Sequence, residues 1–510
     1  MTRLLYKKEA EKQAVFLPRE KGCELTQRAQ EDMMSRPDFG LRRRRGRRRF
    51  GAERKAKMEE RKDKSLTPVC DFAERYRELH GLRLHMPGHK GHGEVEALDI
   101  TEIRGAEPLY PARGILRESE RNAEALFGSG RTIYSAEGSS LCIRAMVMMA
   151  VARARVRGLR PLILAGRNAH SSFLTAAAML GAEIEWLRGE SLLCCCPTAG
   201  ELTAALAKRK EPPAAVYLTS PDYLGNRADV RAAAEACRER GVPLMVDNAH
   251  GAYLRFLPED QHPLTLGADL TCDSAHKTLP VLTGGAYLHI HRDADPFFAA
   301  RAERAMAAFA STSPSWLILQ SLDRCNACLS SVYREQLKAF VPRVDALKKA
   351  LRAMGYETAG DEPLKITLMP KSFGYTGDQL HDLLRQEYVE CEFSDPDYLV
   401  MMVTPETGAK GLETIREVLG KIPRREPVFE TAPMVPEARQ AMTPAAALMS
   451  RTEEVPVSES EGRILADPCV SCPPAVPILI SGERITREAI RCFEYYGIDR
   501  VTCVAEKSGE

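Results

Sequence analysis

Lys277 stands in an octapeptide that could carry covalent chemistry. The octapeptide, 273–280, reads Asp-Ser-Ala-His-Lys-Thr-Leu-Pro and follows the apolar stretch 268–272, which predicts a β-strand. A lysine at the end of a strand can form a Schiff base with an aldehyde if its surroundings lower its pKa. Ser274 and His276 could donate hydrogen bonds to a phosphate. A surface lysine beside an incidental histidine would give the same short sequence, so the octapeptide alone leaves both readings open.

A carboxylate and two histidines stand where a bound ring could use them. Asp247 follows the apolar stretch 242–246, and a carboxylate there can keep a pyridine nitrogen protonated, which makes the ring an electron sink. His250 follows in the tetrapeptide Asp-Asn-Ala-His and could bond a phenolic oxygen of that ring. His170 comes after the apolar stretch 161–165 and could stack on the ring. Asp247 could equally be a helix N-cap, and a lone histidine is more often structural.

The tripeptide Gly-Ser-Ser at 138–140 opens an apolar helical stretch, 141–152. Backbone N–H groups at a helix start bind phosphate, although the same tripeptide also caps helices that bind nothing. The chain order is then phosphate cradle, histidine, carboxylate and lysine, as in fold-type I enzymes of pyridoxal 5′-phosphate (PLP). We predict PLP as cofactor, catalytic roles for Lys277, Asp247 and His170, and no metal. The predicted cofactor-binding residues are Lys277, Asp247, His250, His170, Ser139, Ser140, Ser274 and His276.

Strand and helix patterns alternate around these residues. Near-continuous apolar strands that alternate with helices indicate an α/β domain with a mainly parallel sheet, in which ligands bind at the carboxyl ends of the strands. The predicted fold class is therefore the aspartate-aminotransferase-like fold-type I architecture, with a smaller C-terminal α/β domain. The predicted strands are 161–165, 214–219, 242–246, 268–272 and 285–290, and the predicted helices include 173–180 and 232–240.

The remaining segments predict further domains. A mostly helical region contains an irregular turn at 311–314, and strands are predicted at 365–368 and 398–403. The tail 426–456 is rich in proline and alanine, which indicates irregular structure. The predicted parts are a basic, disordered extension (1–64), the PLP-binding domain (65–300), a helical connector (301–345), a small α/β domain (346–425), and a linker with a C-terminal segment (426–510).

The charge of the whole chain excludes some partners. Its 510 residues contain 72 lysines and arginines against 70 acidic residues, so net charge gives no reason to expect a nucleic-acid or membrane partner. Neither a signal peptide nor an apolar run of about 20 residues, the length of a membrane span, is visible, and we expect a cytoplasmic protein. The arginine-rich run 42–49 could be a nucleic-acid-binding arm, a solvated tail, or sequence upstream of a true start at Met58.

The 15 cysteines do not form a dense framework, and a chain of this length does not need disulfides to fold. Cys325-x-x-Cys328 and Cys469-x-x-Cys472 could be read as halves of a zinc site. They are far apart in the chain and have no histidine at ligand spacing, so we expect reduced thiols instead.

Several unrelated motifs resemble the bacterial ornithine/lysine/arginine decarboxylase family. They occur in the order of that family and span roughly residues 66–505. The resemblance is to the short form of the family, without a separate N-terminal wing domain. The motifs are His-Met-Pro-Gly-His-Lys-Gly at 85–91, Asp-Ile-Thr-Glu at 99–102, Thr-Ser-Pro-x-Tyr-x-Gly at 219–225, Ser-Ala-His-Lys-Thr-Leu-Pro at 274–280, Ser-Thr-Ser-Pro-Ser at 311–315, and a Pro-Pro-x-x-Pro segment at 473–483.

The resemblance implies decarboxylation of a basic amino acid, with Lys277 as the Schiff-base lysine and Asp247 at the pyridinium nitrogen. It implies a homodimer with the active site at the interface, where the turn 311–314 would approach the neighbouring cofactor. Another fold-type I reaction (aminotransferase or lyase), or a PLP-binding homologue with little activity, stays open. A non-catalytic nucleic-acid-binding role would rest on the run 42–49 alone.

The sequence departs from the family at positions that bear on substrate choice. Asn248 stands where the family usually has an acidic residue, and Asp222 where a threonine is common. A basic substrate needs an acidic group at the far end of its pocket. The candidates for that group are Asp222, Glu107, Glu392 and Asp395.

Overall fold

The computed structural model describes residues 65–187, 197–434, 437–472 and 476–506, with no side chains for 471 and 472. The predicted basic extension, its arginine-rich run 42–49 and the alternative start at Met58 lie outside the described residues. No helix in the part of the chain that the structure describes is long and apolar enough to cross a membrane.

The described chain alternates helices and short strands. Its α-helices are α1 (Pro68–Glu78), α2 (Gly114–Phe127), α3 (Gly138–Val156), α4 (Ser171–Leu180), α5 (Ala199–Ala207), α6 (Val230–Glu239), α7 (Ala275–Thr278), α8 (Pro296–Ala307), α9 (Trp316–Ser331), α10 (Tyr333–Ala353), α11 (Gly377–Gln386), α12 (Gly408–Lys421), α13 (Pro444–Leu448) and α14 (Arg487–Tyr495). Its strands are β1 (Arg131–Ser135), β2 (Leu162–Gly166), β3 (Glu183–Leu187), β4 (Ala215–Thr219), β5 (Leu244–Asp247), β6 (Leu270–Asp273), β7 (Ala286–Ile290), β8 (Glu357–Ala359), β9 (Lys365–Met369), β10 (Phe393–Ser394), β11 (Leu399–Met402), β12 (Thr452–Pro456), β13 (Cys469–Cys472), β14 (Val476–Ile480) and β15 (Arg500–Val504).

The largest sheet has seven strands in the order β1-β7-β6-β5-β4-β2-β3. Strands β2 to β6 are parallel to their neighbours in this group, and β7 runs antiparallel to both β6 and β1. The mainly parallel α/β sheet predicted from the sequence is therefore confirmed. Strands β1 and β3 were not predicted, and they extend the sheet at its two edges.

Both faces of this sheet are covered, which explains why its inner strands β2, β4, β5 and β6 are mostly apolar and buried. The apolar side chains of α3, α4 and α8 pack on one face, together with residues such as Ile163 and Tyr217. Helices α5 and α6 pack on the other face, against residues such as Leu164 and Val216. This packing fixes the carboxyl ends of the strands in one row, where loops can carry functional groups.

The second sheet has four antiparallel strands in the order β10-β11-β9-β8. Helix α10 precedes this sheet, and α11 and α12 belong to the same part of the chain. Gly377 begins α11 because a Cβ there would lie 1.9 Å from the carbonyl oxygen of Tyr398. The glycine thus allows the helix to start against the loop that precedes β11.

Two small ribbons form the C-terminal part, one from β12 and β15 and one from β13 and β14. The irregular tail predicted for 426–456 is wrong in part, because it contains α13 and the strand β12. Thr443 caps α13 by accepting from the N–H of Ala446, and Pro444 occupies the first helical position. Strand β12 pairs with β15, a partner that local composition cannot reveal.

Candidate active site

Lys277 lies in the short helix α7, directly after β6, with its side chain partly buried. Its Nζ is 2.9 Å from Nε2 of His250. Burial lowers the pKa of Lys277, while the negative charges of Asp247 and Glu392 act in the opposite direction. The position meets the main requirement of a nucleophilic amine, which is an environment that favours the uncharged form.

Asp247 is the last residue of β5 and is buried. It lies opposite Cys272 of β6, so its carboxylate and Lys277 follow neighbouring parallel strands. The Tyr217 hydroxyl donates to Oδ2 at 3.1 Å, and the N–H of Ala249 donates to Oδ1 at 3.2 Å. These bonds place Asp247 in a local turn and hold its carboxylate in one orientation. Asp247 is therefore not the helix N-cap that was considered as an alternative.

The predicted phosphate cradle is assembled from two separate elements. Ser139 lies at the start of α3, and its Oγ accepts from Oγ of Ser274 at 2.8 Å. The N–H of Gly138 donates to the carbonyl oxygen of Gly284 at 2.7 Å, which ties the start of α3 to the loop after α7. A Cβ at Gly284 would approach the carbonyl oxygen of Ala136 at 2.9 Å, so this close approach requires glycine. The helix start therefore faces the hydroxyl of Ser274.

Two other predicted cofactor residues, His276 and Ser140, are neighbours of Ser274 and Ser139 in the chain. Nδ1 of His276 is 3.0 Å from the carbonyl oxygen of Gly285, which leaves Nε2 as the nitrogen that can face a ligand. Burial lowers the pKa of His276, so the ring is neutral near pH 7. Ser140 occupies the first turn of α3 beside Ser139. The part of both residues in binding a phosphate stays a prediction.

His170 caps α4, because its Nδ1 accepts from the N–H of Ser172 at 3.2 Å. The residue as a whole is nevertheless exposed. Burial lowers the pKa of His170, as does the charge of Lys277, while Asp247 acts in the opposite direction. His170 thus has the structural role considered as an alternative, and it lies close enough to Asp247 and Lys277 to feel their charges.

Lys365 of the small sheet and Tyr223 both lie beside His250, and the sequence did not predict a role for Lys365. Lys365 begins β9, is 3% exposed, and places its Nζ 3.2 Å from Nδ1 of His250 and 3.0 Å from the carbonyl oxygen of Asp222. The only signal in the sequence was a lysine at the start of a strand, Lys-Ile-Thr-Leu-Met, that is otherwise largely apolar. Tyr223 lies beside the same histidine, with ring centroids 5.1 Å apart, and its hydroxyl donates to Glu392 at 2.9 Å.

The geometry distinguishes among the four candidates for an acidic group in the substrate pocket. Asp222 is buried with both carboxylate oxygens bonded to Asn226, and Asp395 accepts from two backbone N–H groups of its own loop. Glu392 is exposed, accepts from the Tyr223 hydroxyl, and carries a negative charge that opposes the lowering of the Lys277 pKa. Glu392 is therefore the candidate with an exposed carboxylate and an effect on the lysine.

Asp273 closes β6 and explains why position 248 is an asparagine. The buried Asp273 carboxylate accepts from Nδ2 of Asn248 at 2.8 Å and lies 2.9 Å from Nε2 of His262. Burial alone would raise the pKa of Asp273, but His262 and His289 outweigh it and hold the pKa well below its usual range. A second carboxylate at position 248 would repel this charge, whereas an amide N–H stabilises it.

The chain matches the family model for the major domain of Orn/Lys/Arg decarboxylases over residues 68–359, and the model for their C-terminal domain over 426–500. Among solved structures, lysine decarboxylase A from Pseudomonas aeruginosa superposes with a TM-score of 0.70 at 18% identity, covering 89% of this chain and 83% of that chain. The constitutive lysine decarboxylase of E. coli gives 0.68 at 16% identity, covering 91% and 85%. The fold is that of the fold-type I decarboxylases, which confirms the predicted fold class.

Curated relatives of similar length are also named decarboxylases. An arginine decarboxylase of Bacillus subtilis is 29% identical in an alignment of length 462 that covers 83% of this chain and 92% of the relative. An arginine decarboxylase of Halalkalibacterium halodurans is 27% identical in an alignment of length 459 that covers 82% of this chain and 91% of the relative. This chain belongs to the Orn/Lys/Arg decarboxylase family, and the resemblance drawn from its motifs is confirmed.

Proposed function

We propose that this enzyme removes the α-carboxylate of arginine, lysine or ornithine, with PLP held as a Schiff base on Lys277. The observation that carries the proposal is the placement of a partly buried lysine amine and a buried carboxylate at the ends of neighbouring strands β6 and β5. Such a pair can supply a nucleophilic amine and a fixed negative charge to one bound molecule. The product would be an amine that could enter polyamine synthesis.

The residues present fit this cofactor. The buried Asp247 carboxylate would hold a proton on the pyridine nitrogen, and the hydroxyls of Ser139 and Ser274 would hold the phosphate at the start of α3. His170 lies close enough to Asp247 and Lys277 to feel their charges, and His250 has a ring nitrogen beside the Lys277 amine. When bound, PLP supplies an electron sink for the bond that breaks at the α-carbon.

We further propose that Glu392 binds the distal cation of the substrate. A cationic side chain gains a charge-assisted hydrogen bond from a carboxylate. Glu392 is exposed, opposes the lowering of the Lys277 pKa, and is oriented by the Tyr223 hydroxyl at 2.9 Å. Because that hydroxyl donates to Oε1, Oε2 of Glu392 is left to accept from an ammonium or guanidinium group.

The functional unit that we propose is a homodimer. Four apolar side chains stand exposed on the segment that carries the His-Met-Pro-Gly motif, and Leu82 and Leu84 are 85% and 84% exposed. Met86 and Val95 extend this surface. Exposed apolar groups clustered in one segment are typical of a surface that a partner covers. A mass measurement in solution, compared with the Leu82→Ser/Leu84→Ser double variant, tests this assembly.

A reducing compartment is also part of the proposal. Cys325 and Cys328 are both free thiols in the structure. Free thiols persist where glutathione and thioredoxin keep them reduced, as in the cytoplasm.

The test of the reaction uses the full chain purified with PLP, its visible absorption band, and CO2 release from arginine, lysine and ornithine. The parent chain should show the band of a protein-bound Schiff base and release CO2 from one of these substrates. Lys277→Ala should lose both, while Lys410→Ala, a variant at an exposed lysine, should keep both. Full activity in Lys277→Ala would overturn the proposal.

Two other outcomes would point to the alternatives. A keto acid formed without CO2 would indicate an aminotransferase. A visible band without turnover of any of the three substrates would indicate a PLP-binding homologue that lacks the activity.

A further inference from the structure

We propose that Lys365 is a positioning residue that fixes the tautomer of His250, so that the Nε2–H of His250 donates to the amine of Lys277 and holds that amine in its uncharged form. The inference deepens the proposed function, because it rests on Lys277 as the anchoring amine. Its test, however, measures the protonation of the Lys277 amine and does not depend on the reaction.

The geometry is an imidazole held between two lysine amines. Nε2 of His250 is 2.9 Å from Nζ of Lys277, and Nδ1 is 3.2 Å from Nζ of Lys365. The two lysines come from different sheets, one after β6 and one at the start of β9. His250 and Lys365 are both buried, so water does not replace either contact.

Counting protons restricts this arrangement. A neutral imidazole has one N–H donor and one acceptor nitrogen, whereas an ammonium group only donates. If both lysines were charged, one ammonium would face the N–H of the ring. If the ring were charged, both amines would have to be neutral. With a neutral ring and both contacts formed, one lysine donates to the ring nitrogen that lacks a proton, and the other, which must be a neutral amine, accepts from the ring N–H.

The ring is neutral because its surroundings disfavour a positive charge. Burial is the main cause that lowers the pKa of His250 well below its ordinary value, and Lys365, Lys277, His170 and His276 act in the same direction. Among the residues that the structure describes, none bonds a ring nitrogen of His250 through a carboxylate. The ring therefore offers one donor and one acceptor.

Lys365 is the charged partner. Its Nζ donates to the carbonyl oxygen of Asp222 at 3.0 Å and lies 5.5 Å from the centre of the Tyr223 ring, both of which favour an ammonium group. Burial lowers the pKa of Lys365, and the negative charges of Glu362, Asp222 and Glu392 oppose that shift, so the two contacts of its amine decide its charge.

Lys277 is then the neutral partner. Asp247, Glu392 and Cys272 favour its charged form, while burial opposes it. Its amine accepts from the Nε2–H of His250, and this hydrogen bond exists only while Nδ1 accepts from Lys365. The same tautomer would present an N–H donor to an oxygen atom of a molecule bound beside Lys277.

The test measures the protonation of the Lys277 amine in the full chain purified without added cofactor. Trace acetylation over a range of pH, followed by peptide mass spectrometry, gives the pH midpoint for Lys277, with the exposed Lys410 as internal reference. In Lys365→Met the ring can move its proton to Nδ1 and accept from a Lys277 ammonium. We expect the midpoint to rise by about one unit, which lowers labelling of Lys277 at pH 7 about tenfold.

Two variants make the result specific. Lys348→Met removes another buried lysine, which bonds the carbonyl oxygens of Glu362 and Pro363 and not His250, and should leave the midpoint unchanged. Lys365→Arg keeps a charged donor and should restore the parental midpoint. If Lys365→Met changes labelling of Lys277 less than twofold, or no more than Lys348→Met does, the proposal is wrong.

Histidine-selective 15N NMR, with His250→Asn for assignment, reads the tautomer directly and separates it from the loss of charge alone. The parent and Lys365→Arg should show His250 with its proton on Nε2, and Lys365→Met should show protonation of Nδ1. A proton on Nδ1 in the parent chain would overturn the inference, whatever reaction the enzyme performs.

Discussion

Arg167 and Glu483 lie 316 positions apart and form a two-pronged ion pair. Nη1 of the arginine is 3.2 Å from Oε1 of the glutamate, and Nη2 is 3.0 Å from Oε2. Oε2 also accepts from the N–H of Ile480 at 2.9 Å. The pair therefore fastens the C-terminal ribbon of β13 and β14 to the loop after β2, three residues before His170.

Removing this pair should loosen the C-terminal part. Glu483→Ala leaves the guanidinium of Arg167 partly buried without its partner, which should cost about 3 kcal/mol in the free energy of unfolding. Chemical denaturation gives the value. Glu461→Ala removes an exposed pair with Arg487 and should cost less than about 1 kcal/mol. Equal losses in the two variants would contradict the role of the Arg167–Glu483 pair.

Asp323 should hold the first described helix in place. Its Oδ2 accepts from the N–H groups of Val69 and Cys70, each at 2.9 Å, and Oδ1 accepts from Ser119. Asp323→Ala leaves these buried donors unpaired and should cost about 2 to 4 kcal/mol in the free energy of unfolding. Thermal or chemical unfolding measures the loss, and an unchanged midpoint would argue against this cap.

The same residue predicts a pH dependence. Burial raises the pKa of Asp323 from 3.8 to about 7, which is higher than in the unfolded chain. Its stabilising contribution is therefore complete below about pH 4 and is lost as the pH rises through about 7. The parent should lose more stability than Asp323→Asn between pH 5 and pH 8. Equal losses in the free energy of unfolding for the two proteins over that range would contradict this prediction.

Asp247→Asn should separate cofactor binding from turnover. The amide keeps the shape of the buried side chain but removes the charge that would hold a ring proton. A hydrogen bond to a charged group is worth about 1.5 to 3 kcal/mol. We therefore expect kcat to fall about tenfold to a hundredfold, while the visible band of the Schiff base remains. Cys272→Ala, which removes only the thiol contact to Oδ1, should have a smaller effect.

Glu392→Gln should weaken binding of a basic substrate. Loss of one charge-assisted hydrogen bond of about 1.5 to 3 kcal/mol corresponds to a KM about tenfold to a hundredfold higher. The neighbouring Glu390, which pairs with Arg385 on the surface, provides the matched control Glu390→Gln. Steady-state kinetics with the preferred amino acid decides the matter. A KM that rises equally in the two variants would assign Glu392 no special role.

Local patterns were enough to predict much of the large sheet. The strands around Asp247 and Lys277 are continuous apolar runs, and such runs are visible without knowledge of their partners. Strand β12 was missed because its pairing with β15 depends on residues near position 500. Lys365 was missed for a related reason, since its contact with His250 joins positions separated by 115 residues.

The sequence alone also could not show which acidic residue is able to bind the distal cation of the substrate. From the sequence, Asp222 and Glu392 were equal candidates for the substrate pocket. The structure shows that Asn226 occupies both oxygens of Asp222, whereas Glu392 is exposed and affects the pKa of Lys277. The spacing of residues along a chain does not show which carboxylate oxygens already accept hydrogen bonds from their neighbours.

Lys277 follows β6 and Asp247 ends β5 of the seven-stranded sheet, whereas Glu392 directly precedes β10 of the antiparallel sheet. The residues for bond-making and the residue proposed to select the substrate would then be encoded in separate stretches of the gene. Exchanging residues 387–402 between relatives, which leaves Lys365 in place, should transfer substrate preference without a change in cofactor attachment. Diversification of such a family could thus proceed by altering one stretch while selection preserves the other.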